Sequence, residues 1–258
     1  MNNKKLEKFY NAVYVKGEKK HYSRYNIGAS IEFEEVIKAI PWKGKSVLDV
    51  GCGTGLFDYL ISKRGAKVLA IDYSKKAIEI AKETHHAPNL KFEEGSAMTF
   101  KGTYDVIVSL GTLEHMDNPF EILKRFKKHL KPNGHIIITT PNWTNPRGFT
   151  LMALKHLFDA PITLADLHYF TPVDFEKWAK KNNMGFLWKT FDRSWAHGPI
   201  MIDDLKRRLP NVFRDAKMKV SDKQISNLLT WLKEKVIPMD HAAPQSGAMA
   251  LYVFKAKK

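Results

Sequence analysis

The chemistry in this chain is concentrated where acids and glycines meet. Asp49-Val50-Gly51-Cys52-Gly53-Thr54-Gly55 follows an apolar run (Val47, Leu48, Val50) and precedes an amphipathic segment, 56–64. The run predicts a buried parallel strand and the alternate glycines a tight turn. Strand, turn and helix together predict a crevice in which backbone approaches a ligand closely, beside the unpaired N–H groups of a helix start. A second acid, Asp72, ends the next apolar run (Val68, Leu69, Ala70, Ile71). An acid at that place can accept hydrogen bonds from both hydroxyls of a ribose. Ser109-Leu110-Gly111 ends a further apolar strand, 104–110, on the side where open parallel sheets bind ligands. Cys52, the only cysteine, lies inside the turn, where its backbone matters more than its thiol.

These residues need a frame, and the periodicities supply one. A helical stripe over 31–40 (Phe33, Val36, Ile37, Ile40) stops at Pro41. Ser74 is a good N-cap for a helix over 75–84, and 90–93 alternates as a short strand. Asn118-Pro119 opens a helix whose expected buried stripe is Phe120, Leu123 and Leu130. A Lys131-Pro132-Asn133-Gly134 turn leads to a strand over 136–140. Helices are expected over 149–158, from Thr171-Pro172 (inner face Phe175, Trp178, Ala179), and over 194–210 and 220–236. Strands are expected over 186–191 and 248–255. This is an α/β pattern.

Composition narrows the class. The 258 residues are 44% hydrophobic and 27% charged, which suits one sizeable domain. No apolar run is long enough to span a membrane, and the first residues lack the apolar core of a signal peptide. One cysteine cannot form an intrachain disulfide, so a reducing, cytoplasmic setting is expected. The net charge is +15, a balance that suits nucleic acid, an anionic membrane or an acidic substrate. The basic residues are spread along the chain, which favours plain surface solvation. The stripe Ile225, Leu228, Leu229, Leu232 and Val236 reads as a packing face, with peripheral membrane contact as its rival. No Asp/Glu/His grouping has metal-ligand spacing, so no metal is predicted.

The glycine spacing discriminates between nucleotide families. A dinucleotide fingerprint would put its third glycine at Leu56, and a P-loop would need Gly-Lys-Ser/Thr; neither is present. Asp49–Gly55 resembles motif I of the class I S-adenosylmethionine-dependent methyltransferases. The resemblance runs from Lys45 to Pro141 and resumes over 168–184. Leu113-Glu114-His115-Met116 resembles the Glu-His-Val/Met signature of the ubiquinone- and menaquinone-type branch. His168-Tyr169-Phe170-Thr171-Pro172 is similar to a segment that recurs in small-molecule methyltransferases.

The resemblance implies a Rossmann-like, doubly wound, mostly parallel sheet of order 3-2-1-4-5-7-6. The last strand is antiparallel, and helical insertions form a cap. It implies a single domain with an N-terminal lid (1–30), a cofactor-binding core (31–147) and an acceptor side (148–258). The cofactor is S-adenosyl-L-methionine, leaving as S-adenosyl-L-homocysteine. Asp49, Gly51, Cys52, Gly53, Gly55, Ser109 and Leu110 would line its site, with Asp72 on the ribose and Tyr73 against the adenine. Ser96 stands where the family usually has Asp for the adenine amino group, while Ala97 keeps its backbone N–H. Arg24 in the lid would meet the cofactor carboxylate. His115 and His168 are the candidate bases beside the methyl. The acceptor is expected to be a small molecule methylated on a hydroxyl oxygen, in a cap lined by Trp143, Tyr169, Trp188 and Trp195. The rivals are an RNA methyltransferase, a cofactor-binding regulator without catalysis and, last, a nicotinamide enzyme.

Overall fold

A computed structural model describes residues 28–163, 165–239 and 243–257. The expected lid at 1–27, with Arg24, lies outside the described residues. The elements run α1 (Gly28–Ile37), β1 (Ser46–Val50), α2 (Leu56–Ser62), β2 (Lys67–Asp72), α3 (Lys75–Thr84), β3 (Leu90–Glu94) and β4 (Tyr104–Leu110). A single 3-10 turn (Leu113–His115) then leads to α4 (Pro119–Lys128), β5 (Leu130–Pro141), α5 (Pro146–Phe158), α6 (Pro172–Lys181) and β6 (Met184–Phe191). The chain ends with α7 (Arg193–His197), α8 (Pro199–Asp215), α9 (Asp222–Trp231), short π and 3-10 turns, and β7 (Met249–Ala256).

The seven strands form one sheet in the order β3-β2-β1-β4-β5-β7-β6. The five strands β1 to β5 are parallel, and β7 runs antiparallel between β5 and β6. The order and the antiparallel β7 are as the resemblance implied. Strand alternation decides which side each residue covers. Leu48, Val50, Ile136 and Ile138 face one layer, with Ile122, Leu123 and Phe126 of α4 and Phe175 and Trp178 of α6. Val47 and Ile137 face the other, with Val36 of α1, Phe57 and Ile61 of α2, and Ile78 and Ala81 of α3. Both faces are buried, which is why the strands read as continuous apolar runs.

Several local expectations shift. The inner face of α4 is Ile122, Leu123 and Phe126, because Leu130 already pairs with Tyr104 in β5. The expected turn at 131–134 is an irregularity within β5, with Asn133 in the left-handed region (φ 60°) and the register slipping between Tyr104 and Val106. The helix expected to end at Pro210 continues to Asp215 with the proline inside it.

A third cluster holds the cap together. Trp143 and Leu151 pack with Met201, Leu205, Leu209 and Val212 of α8 and Ile225, Leu229 and Leu232 beyond it. The 225–236 stripe is therefore spent on packing, not on a membrane face. No helix among the described residues is long and apolar enough to cross a membrane.

Candidate active site

The site is assembled at the carboxyl ends of β1, β2, β4 and β5. The glycine turn is pinned to β2 by Gly51 and Cys52, whose N–H groups both donate to the Ile71 carbonyl (2.8 and 3.1 Å). Gly51 has φ +87°, and a Cβ there would lie 2.5 Å from the Thr112 side chain; Gly55 has φ +79°, and its Cβ would lie 2.4 Å from the Phe92 ring. The first glycine thus lets the loop after β4 close on the turn, and the third lets α2 close on β3. Neither position tolerates a side chain.

Asp72 is almost fully buried beside this turn. Its carboxylate accepts from the Gly53 N–H (2.9 Å) and the Ser74 N–H (2.8 Å), one bond to each oxygen. A carboxylate has about four acceptor directions, so two remain for hydroxyls of a ligand. Burial pushes the Asp72 carboxyl above its ordinary range, and the two backbone donors oppose that. Ser74 also caps α3, its hydroxyl accepting from the Ala77 N–H.

Asp49 and Asp58 are short of donors. Asp49 ends β1 and is 3% exposed; Asp58, in the first turn of α2, is 0% exposed. Among the described residues, no N–H or O–H group stands at hydrogen-bond geometry to Oδ1 of Asp49 or to either carboxyl oxygen of Asp58. The two carboxyls lie close enough for each to shift the other. Burial pushes Asp49 up to about 7, Asp58 pulls it down, and the charges of Asp72 and Glu32 push it up again. Asp58 is pushed well above the carboxylate range, first by burial and then by Asp49. Burial and the three acids Asp58, Asp49 and Asp72 also raise the Cys52 thiol, which keeps it protonated and a poor nucleophile.

Two more acids line the crevice from other elements. Glu32 of α1 accepts a short hydrogen bond from the Thr139 hydroxyl at the end of β5, and burial raises its carboxyl. Glu114, in the turn after β4, is fully buried with Oε2 lacking a partner among the described residues; burial and then Asp166 push it well up.

The backbone carbonyl of Glu114 joins this turn to the cap. It accepts from the N–H groups of Leu167 (2.9 Å) and His168 (3.1 Å). That clasp brings Asp166 Oδ1 to 3.3 Å from His115 Nδ1, with the side chains 11% and 13% exposed. Both are reachable and neither is freely solvated. The two candidate histidines divide here. The His168 Nε2 lies 2.9 Å from the Met116 carbonyl, which can only accept, so this nitrogen carries the proton and the ring latches the two loops. Its ring also stacks on Phe170.

The remaining residues read from the sequence fall around the crevice with other tasks. Ser109 is fully buried, its hydroxyl donating to the Val50 carbonyl (2.9 Å) and tying β4 to β1. Leu110 follows it at the strand end. Ser96 accepts from the Met98 N–H and opens a short turn containing Ala97. Tyr73 follows Asp72 at the end of β2. Of the expected cap aromatics, Trp143 is buried in cap packing, edge-to-face with Tyr169. Trp188 is a correction: it lies on edge strand β6, opposite Tyr252, because its alternation belongs to the sheet.

Sequence reading missed Asp58, Asp166 and Glu32. Asp58 had a signal: it lies three residues before Ile61, on the buried face of α2. Asp166 and Glu32 had none, because only the fold brings them to the site. The cap's own acid, Asp204, was missed as well. It is fully paired: Arg147 Nε, Arg208 Nε and Arg207 Nη2 donate to it at 2.8, 3.1 and 3.0 Å.

With this geometry in place, the comparisons fix the class. A methyltransferase-domain family model matches residues 22–185, and the chain belongs to that family. Among curated relatives, a ubiquinone biosynthesis O-methyltransferase of Dechloromonas aromatica is 29% identical over 164 residues, 60% of this chain and 70% of that protein. One from Acinetobacter baylyi is 34% identical over 113 residues, 41% of this chain and 47% of that protein. A solved magnesium protoporphyrin IX methyltransferase from Synechocystis, with S-adenosylhomocysteine bound, superposes with TM-score 0.60 at 16% identity, covering 73% of this chain and 92% of that one. A solved complex of a Haloferax volcanii Trm112 activator and a methyltransferase matches with TM-score 0.62 at 12% identity, over 96% and 98% of the chains. The chain is an S-adenosylmethionine-dependent methyltransferase with a Rossmann-like fold. The crevice suits such a cofactor: Asp49, Asp58 and Glu114 have carboxyl oxygens without a donor among the described residues, and the cofactor carries an ammonium, a sulfonium and two ribose hydroxyls.

Proposed function

We propose that this methyltransferase acts on a hydroxyl group of a small-molecule acceptor, with the cofactor lying across β1, β2 and β4. Asp72 accepts the ribose hydroxyls, Asp49 faces the ammonium, Tyr73 lies against the adenine, and Ser96 with the Ala97 N–H reads its edge. Gly51, Cys52, Gly53 and Gly55 give the turn its close approach, and Leu110 closes the methyl end of the site. Arg24 is kept as a contact for the cofactor carboxylate. When bound, the cofactor supplies a methyl group on a positively charged sulfur, already activated for in-line displacement.

The chain's own contribution is position, dryness and a proton acceptor. Orientation and water exclusion contribute on the order of 7–11 kcal/mol. A hydroxyl must lose its proton as it attacks, and His115 Nε2 is the group proposed to take it. Asp166 lies 3.3 Å from Nδ1, and its charge supports the imidazolium that forms. His168 serves as the latch that keeps these loops together. The single observation that carries this reading is the largely enclosed His115–Asp166 pair, clasped to the cap by the Glu114 carbonyl.

The basic residues are spread along the chain rather than gathered in one tract, so the +15 charge is read as surface solvation. The test is a labelled-methyl screen of phenols, sugar alcohols, amines and tRNA. The expected result is transfer to hydroxyl acceptors, cut roughly 10²–10⁴-fold by His115→Ala. Transfer confined to amines or tRNA, or full activity of His115→Ala on hydroxyls, overturns it.

A further inference from the structure

The active-site reading leaves Asp58 without a task. It sits in the first turn of α2, on the same buried face as Phe57 and Ile61. Among the described residues neither carboxyl oxygen has a partner at hydrogen-bond geometry, and the groups that act on them are the Asp49 carboxyl and, opposing it, Asp58's own backbone N–H. The helix start offers it only its own backbone N–H, and a buried acid with no ion pair to join costs folding free energy. Packing alone would be served better by an apolar residue.

The surroundings define what the pair can do. On β1 stands Asp49, on the turn Cys52, on β2 Asp72 and on α1 Glu32; all four are acids or a thiol, and no cation on any of these elements compensates the pair. Glu114 continues the acidic lining beyond Glu32. Two facing carboxyls in such a place hold at least one shared proton.

We propose that Asp58 is a positioning residue of the cofactor site: its carboxylic O–H donates to Asp49 and aims the Asp49 carboxylate at the cofactor's ammonium, and cofactor binding expels the second proton of the pair to solvent. No bond other than O–H is broken. Before binding, the pair exists with one proton or two. After binding, the ammonium takes the place of the second proton, and the Asp58 O–H stays where it was. With Asp49 titrating at about 7, binding at pH 7 releases about half a proton, and affinity is about tenfold higher at pH 8 than at pH 6. The inference rests on the proposed placement of the ammonium at Asp49.

Calorimetric titration of the full chain with S-adenosylhomocysteine, in buffers of different ionisation enthalpy, counts these protons. The homocysteine product keeps the ammonium and lacks the sulfonium charge, so the ammonium alone is tested. The wild type is expected to release about half a proton at pH 7. Asp58→Asn, whose amide N–H takes the place of the Asp58 O–H, is expected to keep this proton count, whereas Asp58→Leu, which leaves Asp49 with no such donor, is expected to push the release at pH 7 toward one proton and to weaken binding. Infrared difference spectra of the wild type are expected to show a protonated-carboxyl band lost on binding, a readout that needs no variant. If Asp49→Asn binds as tightly as the wild type, the ammonium is not at Asp49 and the inference falls with that reading. If Asp49→Asn weakens binding while Asp58→Leu keeps the wild-type proton count and affinity, or if no carboxyl band is lost, the placement stands and the shared proton does not.

Discussion

The two ends of one sheet treat a strand-end acid in opposite ways. Asp105 opens β4 at the amino end, and its Oδ2 accepts from the Ser46 N–H (2.8 Å), the Ser46 hydroxyl (2.6 Å) and Lys131 Nζ (3.0 Å). Burial would raise this carboxyl, but Ser46 and Lys131 outweigh it and bring it down to about 2. Asp49 closes the neighbouring β1 at the carboxyl end, has one oxygen with no donor among the described residues, and is pushed up to about 7. The cap repeats the first pattern. Burial would raise Asp204, and Arg147 and Arg208 hold it below its ordinary range. Where an acid serves the fold, the fold supplies its partners. Asp49, which we propose serves the cofactor, keeps an oxygen for a ligand to partner, and stability is given up for it.

That contrast can be broken from either side. The largest expected effect is in the cap: Asp204→Ala removes the buried carboxylate that Arg147, Arg207 and Arg208 share and should lower unfolding stability by about 3–5 kcal/mol, read by urea denaturation. At the carboxyl end, Asp72→Asn should weaken S-adenosylhomocysteine binding by about 3 kcal/mol, roughly 10²-fold by titration. Melting in the absence of ligand should move much less, because the amide carbonyl of the replacement side chain can keep one of the two backbone donors. At the amino end, Asp105→Asn should cost about 1–2 kcal/mol of stability at pH 7 and leave cofactor affinity unchanged. The Asp105 carboxyl is held below its unfolded value, so its contribution is present above about pH 4 and fades as pH falls toward 2. Asp49 has the opposite sign. Its folded value is raised, so it penalises folding increasingly from about pH 4 to pH 7, and Asp58→Asn should raise the melting temperature more at pH 8 than at pH 5.

The sheet was legible from sequence because its strands are buried on both faces and its helices carry their own caps. Ser74 caps α3, and Thr171 with Asp174 forms a capping box for α6. The alternation of Val47 and Leu48, or of Ile136, Ile137 and Ile138, needed only the local chain. The site was legible in part for the same reason: the glycine turn and Asp72 lie at strand ends that the pattern marks. The pairing of His115 with Asp166 was not, since it depends on the Glu114 carbonyl reaching a loop some fifty residues downstream. Trp188 misled because an aromatic at a sheet edge and an aromatic in a pocket read alike in one sequence. The irregular start of β5 misled because a Pro-Asn-Gly signal marks a kink inside a strand as readily as a turn between elements.

The most direct test of the contrast is a crystal structure of the full chain with S-adenosylhomocysteine. The account predicts both ribose hydroxyls on the Asp72 carboxylate at about 2.5–2.9 Å and the ammonium on Asp49, directly or through one ordered water, with Asp105 and Asp204 keeping their present partners. A nucleoside seated elsewhere, with Asp49 and Asp58 still facing only each other, would contradict it.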